Sequence, residues 1–183
     1  MKQKYRLTDE TIECGGVMLY RIEALRDFGD VTAGDKGGFV QSELNLSQEG
    51  DCWIYGKAAV GGNAMVSGNA IVYGEAMVYG EARVFGEARV FGEAMVYGEA
   101  EVSGKAEVFG KARVCGKARV CGKASIKSIQ DYIVFKNWWS SGRYFTWTRS
   151  DNMWKVGCFY GTGENSYIKP MRIAKRAEGN MKE

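Results

Sequence analysis

The chemistry-bearing residues crowd between positions 131 and 163. Four tryptophans stand there, Trp138, Trp139, Trp147 and Trp154, among Arg143, Arg149 and Lys155. Indole faces stack on flat ligands, and guanidinium groups grip phosphate oxygens, so this mixture suits a nucleobase or nucleotide. The same rings in so short a stretch also suit the filling of a small core. Composition leaves both readings open. The candidate ligand-binding set is Trp138, Trp139, Arg143, Trp147, Arg149 and Trp154. Gly161-Thr162-Gly163 beside it is a weak signal for a bend around a phosphate.

Other chemistries are narrowed by absence. The 183 residues contain no histidine. Hydrolysis by a Ser–His pair is excluded, and so is a histidine-held zinc. No acid/base pair stands out, so no residue is assigned as catalytic or as a metal ligand, and no cofactor is expected. The five cysteines are odd in number and lack paired spacing, which suggests a reducing compartment. Asp35-Lys36-Gly37-Gly38 lacks the Gly-Lys-Ser/Thr order of a phosphate loop and reads as a turn. A net charge of +3 gives little pull on polyanions, so nucleic acid is not an expected partner. No apolar run is long enough to span a membrane, and the start does not read as a signal peptide.

The element that must position these residues is a repeat. From Ile54 to Ile126 an aliphatic side chain falls at every sixth position, thirteen in all. Alanine stands two before each from Val60 onward, and glycine two after each as far as Gly122. A helix scatters such a period over several faces and pays for each glycine. In an extended chain Ala and Val two apart share a side, and Gly-x turns a corner. Three sides close a triangle, so the sequence predicts an all-β, three-sided parallel β-helix of just over four coils. The spacing divides the chain into an N-terminal β cap (1–50), the hexapeptide-repeat body (51–128) and a Trp-rich β module with a C-terminal helix (129–183).

In the cap, Thr11–Cys14 and Val17–Ile22 flank Gly15-Gly16 as a β-hairpin, and Gly50 already stands in the glycine register. After the repeat, Tyr132–Phe135, Arg143–Arg149 and Met153–Tyr160 read as three antiparallel strands. Pro170 opens a predicted helix over Met171–Ala177, with Gly179 as its stop.

Outward positions eighteen apart stack. Tyr55, Tyr73, Phe91 and Phe109 form one ring column ending at Lys127, and Tyr79 and Tyr97 belong to a second. Stacked rings support one another, and a large apolar stripe also marks an interface, so these six are the candidate oligomer or partner interface. The positions before each Val read as outward columns with charge ladders, Trp53-Ile71-Arg89-Glu107 and Met65-Arg83-Glu101-Arg119. Corner residues run from Lys57, Asn63 and Asn69 through five glutamates to four lysines, and like charges are expected to stack within each block. No threonine lies between Trp53 and Lys127, which excludes a threonine-array ice-binding face.

The repeat resembles the left-handed parallel β-helix of hexapeptide-repeat proteins, and the hand is implied by that resemblance. Acyltransferases of this kind use a histidine base, and their carbonic-anhydrase-like relatives hold zinc with histidines; neither carries over. Many relatives are trimers, which favours a homotrimer here. The ends carry a narrower resemblance. Thr8–Thr11, Leu19–Leu25 and Asn45–Gly50, with Asp131–Asn137 through Gly161-Thr162-Gly163, look like the opening and closing segments of phage and prophage hexapeptide-repeat proteins. That resemblance implies a viral protein in the cytoplasm of a bacterial host, or in the virion, and transfers no functional residue. The expected function is a non-catalytic binding protein, an anti-defence factor that sequesters a host signal nucleotide or blocks a host protein. A structural scaffold or spacer of the phage and a degenerate hexapeptide transferase are the alternatives.

Overall fold

The computed structural model describes residues 3–138 and 142–163. The chain opens with β1 (Tyr5–Cys14) and β2 (Val17–Ala24), an antiparallel hairpin. Gly15 and Gly16 make its turn with φ of +60° and +79°, angles that glycine adopts without a Cβ clash. β3 (Lys36–Val40) pairs antiparallel with β2 and then parallel with the repeat, Val40 beside Val60. The hairpin thus extends one side of the tube as a continuous seven-stranded sheet.

The body follows as thirteen two-residue strands, from β4 (Trp53–Ile54) to β16 (Ser125–Ile126). They form three parallel sheets, each strand joined to the one eighteen residues on. We call the sides the hairpin face (Val60, Val78, Val96, Val114), the aromatic face (Ile54, Val72, Val90, Val108, Ile126) and the charged face (Val66, Val84, Val102, Val120). Every aliphatic residue of the hexads is buried, and so are the alanines from Ala58 to Ala124. Burying each Val is worth about 1.5–3 kcal/mol before chain entropy. The corner glycines have φ between +63° and +75° from Gly56 to Gly122. From Gly62 to Gly104, a Cβ at each would lie 3.0–3.1 Å from the glycine nitrogen one coil on.

Coiling starts earlier than Gly50. Val40 and Leu46 stand beside Val60 and Val66 and complete a first, irregular coil. Its pairing steps are twenty residues rather than eighteen, which places an insertion between Leu46 and Ile54. The expected turn at Lys36-Gly37-Gly38 is instead strand β3. The turn lies at Thr32–Asp35, where the Asp35 carboxylate accepts from Thr32 N at 2.8 Å. Gly37 and Gly38 are glycine because the core presses on them: a Cβ at Gly37 would sit 2.7 Å from both Ile54 O and the Trp53 ring. Trp53, expected in an outward column, is 1% exposed. Phe28 and Tyr5 from the cap close over it edge-on, at 5.3 and 6.2 Å.

After Ile126, Ser128 caps a short 3₁₀ turn over Ile129–Asp131. An antiparallel sheet follows, in the order β17 (Tyr132–Lys136), β18 (Tyr144–Thr148), β19 (Met153–Val156) and β20 (Phe159–Gly161). It has four strands rather than the three expected. Gly157, with φ of +55°, and Cys158 fold Met153–Tyr160 back on itself so that Val156 pairs with Phe159. The predicted helix over Met171–Ala177 lies outside the described residues. No helix among the described residues is long and apolar enough to cross a membrane.

Candidate functional site

The C-terminal sheet has two sides with different work. Strand alternation puts Tyr132, Thr146 and Tyr160 on the side that meets the last coil. That coil ends in N–H and C=O groups with no further coil to pair with, and the sheet supplies their partners. Cys115 N donates to Tyr132 Oη at 3.3 Å, and the Tyr132 hydroxyl donates to Arg113 O at 3.0 Å. Arg119 N donates to Thr146 Oγ1 at 2.9 Å and Ser125 N to Ser150 Oγ at 2.7 Å. Lys127 N donates to the Asp131 carboxylate at 2.9 Å. Burial alone would raise the Asp131 pKa, yet the N–H groups of Lys127 and Ser128, the Ser128 hydroxyl and Arg149 together hold it below the usual range.

The opposite side of that sheet is apolar. One row across it is Ile133, Trp147, Trp154 and Gly161, and the next is Phe135, Phe145, Val156 and Phe159. Phe135 stacks on Phe145 at 5.0 Å and meets Trp154 edge-on at 6.0 Å. Trp147 and Trp154 lie 6.4 Å apart, and the Trp147 indole N–H donates to Asn152 Oδ1 at 3.0 Å. Phe145 and Val156 are buried beneath the rings, while Ile133 and Phe135 are 52% and 41% exposed.

The structure therefore divides the candidate ligand set. Trp147 and Trp154 share this outer face. Trp138 is 74% exposed and carries the Lys136 ammonium 3.8 Å above its ring; Lys136 alternates onto the other side of the sheet. Arg143 lines a cleft of about 260 Å³ with Glu99, Glu101, Lys117 and Arg119, at the end of the charged face. Arg149 stands at the Asp131 corner, its N–H donating to Asp131 O at 2.8 Å. Trp139 lies outside the described residues. The two tryptophans of the outer face thus lie among apolar side chains, while Arg143 lines the charged cleft and the Arg149 N–H is held by Asp131 O.

The six interface candidates lie on two sides of the tube. On the aromatic face Tyr73, Phe91 and Phe109 stack at 4.7 and 5.1 Å. Tyr55 turns to the cap, its hydroxyl donating to Asp30 Oδ1 at 2.6 Å. On the hairpin face Tyr79 and Tyr97 stack at 5.0 Å. The corner charges correct one expectation. The five glutamates of the sequence fall on three different corners, so coil neighbours at four steps are oppositely charged, Lys57–Glu75, Glu87–Lys105, Glu93–Lys111 and Glu99–Lys117, at 2.9–3.7 Å. Like charges stack as expected at three, Glu75–Glu93, Glu81–Glu99 and Lys105–Lys123. Glu101 adds a 2.9 Å pair with Arg119 on the charged face.

One surface is not foreseen from the sequence. The hairpin tip overhangs the hairpin face and leaves an apolar notch of about 560 Å³. Ala59, Gly61, Gly62 and Gly80 give it a low floor, and Leu19, Met77 and Tyr79 line its sides. Its one sequence signal is Gly61, which stands where the next coils carry Tyr79 and Tyr97. Among the described residues no group of three or more His, Cys, Asp or Glu side chains is placed to hold a metal ion.

Comparison with known proteins supports the hexapeptide-repeat β-helix. A family model for the YdcK beta solenoid repeat matches residues 58–74, one coil of the body. The chain is 44% identical over 66 residues to a protein of Escherichia coli (strain K12) named "Uncharacterized acetyltransferase YdcK". That match covers 32% of this chain and 20% of the relative, so the chain spans about a fifth of the relative's length.

Proposed function

We propose that this chain is a non-catalytic binding protein in which a rigid β-helical stem carries a docking face for a protein target. The observation that supports it is the two-sided C-terminal sheet. One side completes the tube, and the other holds Ile133, Phe135, Trp147 and Trp154 in adjoining apolar rows with Ile133 and Phe135 half exposed. Interfaces are richest in such aromatic anchors at their centre. In the setting that the end segments resemble, this is a phage factor that blocks a host protein. Capture of a host signal nucleotide is the weaker form, because the rows around Trp147 and Trp154 are apolar and Arg143 lines a cleft with Glu99 and Glu101. The stem associates with copies of itself, a trimer in the favoured form, through the ring columns of the aromatic or hairpin face.

The test is capture from infected cells by tagged protein, with a Trp147→Ala, Trp154→Ala double variant beside it and native mass spectrometry of the eluate. The expected result is one stoichiometric host protein on the native chain and its loss from the folded double variant. Equal capture by both chains overturns the docking face. A nucleotide carried by the native chain selects the sequestering form, and firm association with purified virions selects a scaffold.

A second reading, a transferase, is favoured by the name of the Escherichia coli relative. It lacks a histidine base in this sequence. Turnover of an acetyl thioester by the purified chain, abolished by one carboxylate substitution, would establish it.

A further inference from the structure

Lys4 is fully buried, an unusual place for a lysine. Its Nζ lies 3.0 Å from Cys52 O, 3.3 Å from Gly50 O and 3.3 Å from Cys52 Sγ. Cys52 is fully buried as well. Both shifts run toward the neutral forms. Burial lowers the lysine pKa, against the pull of Cys52, and burial raises that of the thiol. A neutral amine has two N–H donors and one lone pair. Nζ donates to all three, Gly50 O, Cys52 O and Cys52 Sγ. Loss of one proton, the direction burial favours, frees a lone pair toward the sulfur while the carbonyls keep the two remaining donors. The Nζ–Sγ separation of 3.3 Å is within the range of a near-attack arrangement once the amine is neutral.

We propose that Lys4 and Cys52 form an oxidative cross-link, an S–N bond between Nζ and Sγ that pins the first strand to the first full coil. The oxidant is a peroxide. The Cys52 thiol takes one peroxide oxygen and becomes a sulfenic acid, and the other oxygen leaves as water. The Lys4 amine then attacks the sulfur, the S–N bond forms, and the sulfenic hydroxyl departs with an amine proton as a second water. Sulfur gives two electrons to the peroxide, and no other reductant or oxidant is needed. Access comes from β1, which follows Lys4 directly and among the described residues is an edge strand paired with β2 alone. Local opening of an edge strand admits small reagents, and its closing brings the amine back to the oxidised sulfur. The link closes a loop between positions 48 residues apart, a span over which a cross-link strongly restricts the unfolded chain.

Full-length protein is treated with hydrogen peroxide, digested and mapped by mass spectrometry before and after a thiol reductant. The expected product is a peptide containing Lys4 joined to one containing Cys52, about 2 Da lighter than their sum and separated by the reductant. The melting temperature of the treated protein rises by several degrees and falls back on reduction. Lys4→Arg keeps the donors but lacks a nucleophilic amine, and its Cys52 accumulates as oxidised acids without a link. Peroxide-treated native chain in which Cys52 is unmodified, or is oxidised while Lys4 remains unlinked, overturns the proposal without reference to any variant.

Discussion

Tyr132 shows how much one side chain does at the junction of stem and cap. It is 7% exposed, and its hydroxyl serves Cys115 N and Arg113 O together. Tyr132→Phe leaves a partly buried donor and acceptor unpaired, and the expected cost is about 1 kcal/mol in chemical denaturation. Burial, with the Cys115 thiol as a smaller cause, pushes the Tyr132 phenol from 10.0 up to about 12. A pKa raised on folding means that the unfolded chain loses its proton first. The stabilisation is therefore whole below pH 10 and disappears as pH rises toward 12. Some of the alkaline fall in stability should vanish in Tyr132→Phe, as melts across that interval will show; an unchanged slope refutes the assignment. The sequence does not announce this tyrosine, nor the burial of Trp53, because both depend on residues far along the chain. Trp53 keeps the register of an outward position, and Tyr5 and Phe28, brought by the cap, close over it. Gly37-Gly38 misleads for the same reason: a pair that reads locally as a turn is set by the crowding of Ile54 and Trp53.

At the scale of the element, the hexad is legible because every position has one repeated duty. Valines fill, alanines narrow, glycines turn, and none needs distant sequence to explain it. The C-terminal module has no such period, so its extra turn at Gly157-Cys158 and its division into a capping side and an aromatic side stay hidden. The ring positions of the candidate interface follow from the eighteen-residue step, as Tyr73, Phe91 and Phe109 show. The corner charges mislead at four steps, because neighbours in the sequence are not neighbours in space. Corner glycines allow a graded test. Gly116 has φ of +67° with nothing within 4 Å of an added Cβ, whereas at Gly80, φ of +75°, that carbon meets Gly98 N at 3.0 Å. Gly116→Ala should cost only the left-handed backbone penalty, about 1–2 kcal/mol. Gly80→Ala must also push stacked coils apart, so its urea midpoint should fall further. Equal losses would mean that the glycines serve the turn alone and leave the coil spacing to other residues.

On the scale of the whole molecule, a solenoid must end, and each end of this one is closed by different chemistry. At the start, Asn45 Nδ2 donates to Gly62 O and Ala64 O at 2.9 and 2.8 Å, and β3 and Ser47 supply main-chain donors to Ala58 O and Val66 O. At the far end hydroxyls and a carboxylate from the C-terminal sheet accept from Cys115, Arg119, Ser125 and Lys127. Open coil edges are templates for further strands, and polar side chains in these places block stacking while leaving the outer aromatic face available. A chain ending after Ser128 keeps the body and the N-terminal closure but bares those four N–H groups together with Arg113 O. Two such edges can pair with each other, since each offers donors and acceptors. The expected behaviour is concentration-dependent end-to-end association with a parallel gain in β-sheet signal, read by sedimentation velocity and circular dichroism. The full chain under the same conditions should show no such growth, whatever side-by-side oligomer it forms. A truncated chain that stays folded and shows the same sedimentation as the full chain at every concentration would mean that the far edge is not a pairing surface, and the capping role given to Tyr132, Thr146 and Ser150 would fall with it.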